Sequence, residues 1–331
     1  MKTHLKTALA VLCITRLGVI PARAEPVVIT TDSFGSGANA FSIGFAHIGN
    51  AGNADDAGAG GGRYFSSYGG VPYQYRLGTY EISQESIDKA TGAGMRWIEP
   101  GFWKGNQPAA KIKWYDVATF VNWLNTSTQH QPAYNLTYDV NGTVTAMNLW
   151  SSGQAWQAGG ENLYRHKDAY YFLPSEDEWY KAAYHKNDGV TANYWDFALG
   201  TNDNEIPDGV DFNGDAVYDA IFEQGFVQDA VAVTNVGLPS PYGTFGQNGH
   251  MWEWFESAFD GSNDSGAEVR GYRGGDLDSS SALLYSSVRV SAPPGGGYGH
   301  LGFRVASVVP EPTVVTTCLL CFGLAAMRRR R

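Results

Sequence analysis

A chain of 331 residues, 43% hydrophobic and 14% aromatic, can bury a large core, and its length alone would allow one domain or two. Its net charge of −10, from 23 basic and 33 acidic residues, argues against nucleic-acid phosphates as a partner. All three cysteines (Cys13, Cys318 and Cys321) fall in the terminal segments, so residues 25–306 hold no disulfide, no thiolate metal site and no cysteine nucleophile.

Residues 1–24 place Lys2 and Lys6 ahead of an apolar run through Ile14 and end on Ala22-Arg23-Ala24. That is the pattern of a secretory signal with a small-x-small cleavage site, and the run is too short for a membrane anchor. Taking away the leader's +4 (Lys2, Lys6, Arg16, Arg23) and the tail's +3 (four arginines less Glu311) leaves −17 on residues 25–306. Such a surface favours cations or neutral ligands. Glycines cluster at Gly58 and Gly60 to Gly62, where the backbone is least restricted. Tyr73 to Ser83 alternates in part and predicts a strand or hairpin. Val117, Phe120, Val121 and Leu124 predict a helix from about Trp114, with Asp116 suited to the positive end of its dipole. Residues 135–149 predict a hairpin turning at Asn141-Gly142. Ser175 and Glu178 form a capping box ahead of a helix whose buried stripe is Trp179, Ala182 and Ala183. Residues 187–248, rich in Asn, Asp, Gly and aromatics, predict long structured loops, and no proline-rich linker divides the chain. After Pro310-Glu311-Pro312, an apolar run from Thr313 to Met327 is closed by Arg328 to Arg331, short for a bilayer span but with a stop-transfer charge.

Two resemblances follow. The tail resembles the PEP-CTERM sorting signal of exported bacterial proteins. That implies processing by an exosortase-type machinery and a place at the cell envelope or among extracellular polysaccharide; an ordinary C-terminal anchor is the alternative. The succession YRLGTYEIS, PAAKIKWYDVATFVNWLN, YYFLPSEDEWYKAAY, GHMWEWFE, VRGYRGG and HLGFRVAS resembles the formylglycine-generating enzyme (sulfatase-modifying factor) family. The resemblance implies an α+β class and an irregular, loop-rich fold related to C-type lectins, in a domain over 25–306 between the signal (1–24) and the sorting segment (307–331).

Family members that make formylglycine use two cysteines after R-G-G to hold copper(I), a soft ion that prefers thiolates. Ser279 and Leu284 stand at those positions, so copper is not expected and the domain reads as a binding or structural module; an enzyme of altered, cysteine-independent chemistry is the alternative. The resemblance also offers calcium at Glu253, with carbonyls of Gly249 and Met251, although Gly246 lacks the side-chain oxygen relatives carry there. The competing reading is that Glu253 is a core anchor with backbone partners. A second calcium candidate is the loop Asp211, Asn213, Asp215 and Asp219, whose oxygens fall at positions 1, 3, 5 and 9. The histidines show no ligand spacing. In relatives the segment between R-G-G and G-F-R forms a ligand-facing surface. Here it carries Asp278, Tyr285, Arg289, Tyr298 and His300, suited to a sugar or peptide.

Overall fold

The computed structural model describes residues 26–57, 67–202, 219–223 and 229–310. The leader, Gly58 to Gly62, Asp211 to Asp215 and the tail from Glu311 lie outside them. Among the described residues, thirteen strands run in chain order: β1 (Ile29–Phe34), β2 (Phe41–Ile48), β3 (Tyr75–Gly78), β4 (Asn135–Tyr138), β5 (Val144–Asn148), β6 (Ala155–Trp156), β7 (Asn162–His166), β8 (Tyr171–Phe172), β9 (Trp252–Ala258), β10 (Arg270–Arg273), β11 (Val290–Ala292), β12 (Leu301–Phe303) and β13 (Ala306–Val308). The helices are α1 (Gln84–Gly92), α2 (Trp114–Ser127) and α3 (Glu176–Tyr184).

A five-stranded antiparallel sheet has the order β1-β2-β3-β13-β8, so the last strand returns to lie between β3 and β8. It runs to Val308, two residues past the boundary expected at 306. The second sheet, β11-β10-β9-β12, is antiparallel except where β12 lies parallel to β9. Thus W-E-W (β9), R-G-G (end of β10) and G-F-R (β12) are side by side. The main core joins both sheets to α2 through Phe45, Leu77, Trp114, Phe120, Leu124, Trp254 and Phe303.

α2 presents the expected stripe and is pinned at both ends. The Trp114 indole donates to the Phe255 carbonyl at 3.0 Å. The Asn125 amide donates to Tyr171 O at 2.7 Å and accepts from Tyr171 N at 3.0 Å, satisfying the outer edge of β8. α3 starts on the expected capping box. Residues 73–83 hold one short strand, β3, and no hairpin, and the chain then enters α1 with Ser83 as its cap. The β4–β5 pair forms, but Asp139 N bonds to Thr143 O across a longer turn than two residues. Among the described residues, no helix is long and apolar enough to cross a membrane.

Candidate ligand-binding site

The family-like motifs meet in a buried network of ion pairs. α3 supplies three of its members within four residues. Glu176 accepts from Arg273 Nε at 2.8 Å and from Arg289 Nε and Nη2 at 2.9 and 2.7 Å. Glu178 accepts from Arg165 Nη1 and Nη2 at 3.1 and 2.8 Å. Trp179 donates its indole N–H to Glu253 Oε2 at 2.7 Å. One short helix thereby fixes R-G-G, β7 and W-E-W relative to each other.

Glu253 and Arg304 are both fully buried. Arg304 approaches the carboxylate with Nε at 2.6 Å and Nη2 at 2.5 Å, and spends its remaining donors on the carbonyls of Gly78, Thr79 and Phe245. Burial disfavours both charges. At Glu253 it wins, pushing the carboxyl above its ordinary range while Arg304 and Trp179 pull the other way. At Arg304 the Glu253 carboxylate outweighs burial and holds the guanidinium above its ordinary value. Three N–H donors, two of them from one guanidinium, thus face the two oxygens that calcium would need. Calcium wants six to eight oxygen ligands, so this donor set, as arranged, does not fit it. Nearby, Met251 N bonds to Gly249 O, while Gly249 N bonds to Gly274 O. Glycine is required at 249 because a Cβ would strike the Ile221 carbonyl at φ +85°.

Sequence reasoning missed Glu81. Its carboxylate lies where a side chain on Gly246 would go, with Oε1 2.5 Å from that Cβ position, and Oε1 is 2.8 Å from His250 Nδ1. The signal was Gly246 itself, whose side-chain space a carboxylate from another segment fills.

Five residues of the 276–301 segment were singled out as a ligand surface, and they divide. Asp278 and His300 come together: His300 Nδ1 is 3.5 Å from Asp278 Oδ2 and 3.3 Å from Asp276 Oδ2. Tyr298, two residues away, is 47% exposed. Arg289 is committed to Glu176, and Tyr285 packs on Phe197 with ring centroids 4.5 Å apart. The surface gains instead the exposed Phe102, set edge-on at 4.6 Å to Trp103, a buried ring that stacks on His300 at 5.4 Å and supports it from beneath. Both come from an irregular loop that no periodicity marks. The result is an aromatic and acidic surface with one imidazole. Asp276 raises the pKa of His300. Burial disfavours the charge on Asp276, but bonds from His300 and Ser279 outweigh it and lower its pKa. Because the His300 pKa is raised, its contribution to stability is complete below the unfolded value of about 6.5 and is lost as pH rises through the folded value. NMR titration of the imidazole should give a midpoint above that reference, and Asp276→Asn should bring it down; equal midpoints would show that the contact is not made.

Fold and site define a class: a loop-rich α+β domain, wired by buried arginine–carboxylate pairs, that presents an irregular surface after R-G-G. The sulfatase-modifying factor enzyme 1-like domain matches residues 71–309, and the chain belongs to that family. Treponema denticola variable protein 1 shares the fold at 20% identity and a TM-score of 0.58, over 85% of this chain and 99% of that one. CarF does so at 16% identity and a TM-score of 0.50, over 86% and 99%. No curated protein matches in sequence.

Proposed function

We propose that the chain is an exported, surface- or matrix-associated member of the family that binds a ligand and does not generate formylglycine. One observation carries the reading: the chemistry of the two positions where thiolates would stand. The Ser279 hydroxyl donates to Asp276 Oδ1 at 2.6 Å and accepts from Asp276 N at 2.9 Å, closing its own turn. Leu284 is fully buried in an apolar cluster with Phe197, Ala220 and Phe222. Neither offers the soft donor that copper(I) requires, and residues 25–306 contain no cysteine to replace them.

Binding is assigned to the surface of Asp278, Tyr298, His300 and Phe102, which rests on the buried Trp103. Export and sorting rest on the leader and on the Pro310-Glu311-Pro312 tail, which also propose an exosortase-type machinery as a partner and extracellular polysaccharide as the setting. Calcium passes to the Asp211, Asn213, Asp215 and Asp219 loop, supported by spacing alone. The test supplies copper and oxygen with a sulfatase-type cysteine peptide and follows the peptide by mass spectrometry. The cysteine is expected to remain intact; its conversion to formylglycine would end the non-catalytic reading.

A further inference from the structure

Between α2 and the β4–β5 hairpin lies a cleft of about 390 Å³ that shares no lining residue with the 276–301 surface. Its walls include Trp123 from α2, Asn135 and Tyr138 from β4, and Trp150 just beyond β5. In a chain of net charge −10, none of its lining residues among those described is a carboxylate, and the only charged one is Arg96. Arg96 is exposed, its guanidinium lies over the Tyr138 ring at 4.4 Å, and it forms no ion pair among the described residues.

The remaining polar groups are either committed or free. The Asn122 amide is committed, donating to Tyr134 O at 2.8 Å and accepting from Tyr134 N at 2.9 Å. The Trp150 indole donates to Ala133 O. The Asn135 side-chain amide and the Trp123 indole N–H have no partner among the described residues, although both residues are only half-exposed. The cleft therefore combines aromatic rings, one two-sided amide, a ring N–H donor and a free guanidinium.

Few ligand classes use all of these at once. A pyranose ring has a C–H face that packs on an aromatic ring and an equator of hydroxyls for amides and N–H donors. A planar carboxylate on that ring matches the guanidinium fork. The volume lies at the low end of small-ligand sites, roughly 300–1,000 Å³, and suits a short oligosaccharide segment. We propose that this cleft binds an acidic saccharide, a uronic-acid unit whose carboxylate pairs with Arg96 and whose hydroxyls meet Asn135 and the Trp123 N–H.

The test is calorimetric titration of the full-length protein with galacturonate and mannuronate trimers, with maltotriose as the neutral-ring control and sodium acetate as the carboxylate control. At least one uronate trimer should bind, while maltotriose and acetate at the same concentrations do not. Arg96→Gln should weaken that binding about tenfold, as expected for one charge-assisted contact, and Asn135→Ala about fivefold. Neither change should move the melting temperature, since neither side chain holds the fold together by a hydrogen bond. Silence with both uronates, equal binding of maltotriose, or an affinity indifferent to Arg96→Gln would each overturn the assignment.

Discussion

Arg165→Met is expected to be among the most destabilising single changes in the domain. Arg165 is 1% exposed and lies between two fully buried carboxylates, bonding Glu178 at 2.8 Å and Glu256 at 2.9 Å. Its guanidinium also covers the Phe172 ring at 3.7 Å. Methionine keeps much of the apolar contact but leaves two carboxylates without their cation. Removing one partner of a buried pair costs about 3–5 kcal/mol, a large share of a typical total of about 5–15 kcal/mol. Urea denaturation should show a lower midpoint at unchanged slope. Adding Glu178→Gln and Glu256→Gln should recover part of the loss, because the uncompensated charges go with them. Burial works against ionised Glu178, but Arg165 outweighs it and lowers its pKa. That contribution is therefore present above the unfolded carboxyl pKa of about 4.3 and is lost as pH falls through the lower folded value. Glu178→Gln should flatten this acid limb. An Arg165→Met protein within about 1 kcal/mol of wild type would mean that the pairs do not tie the sheets together.

What the sequence made legible is what local physics decides. The capping box at Ser175 needs only two residues three apart, and the α2 stripe needs only its 3.6-residue period. Both appear as read. α1 escaped because its buried side is little more than Ile87 and Ala90 in a polar helix. The motif order identified the family but not its wiring. Arg289 looked available to a ligand because its partner, Glu176, is 113 residues away, and no pattern along the chain reports such a pair. The same holds for Glu81, which meets His250 across 169 residues, and for Trp103 on His300. A site assembled from loops over such separations leaves residue types in the sequence, but the contacts between them depend on tertiary geometry.

Glu253 sharpens that distinction, because its two readings predict opposite behaviour with calcium. As a core anchor it takes side-chain donors in place of the expected backbone N–H partners and neutralises Arg304 inside the protein, so that Glu253→Gln keeps the shape while removing the charge. The variant should then lose about 3–5 kcal/mol, by the same amount in calcium and in chelator. Any rise in wild-type melting temperature with calcium should trace to the acidic loop and vanish in Asp211→Ala/Asp215→Ala. Such a rise follows RT ln(1 + [L]/Kd), about 2.7 kcal/mol at a hundredfold excess over Kd, or a few degrees for a domain of this size. The competing reading requires Arg304 to leave the carboxylate so that oxygens can close around the ion. It predicts a calcium-dependent rise that persists in the double loop variant and disappears in Glu253→Gln. Melting curves of the three proteins, each with calcium and with chelator, separate the two. The bidentate contact at 2.5 and 2.6 Å, with the Trp179 N–H on the same carboxylate, favours the anchor: a cation entering there would have to displace a guanidinium that is itself fully buried.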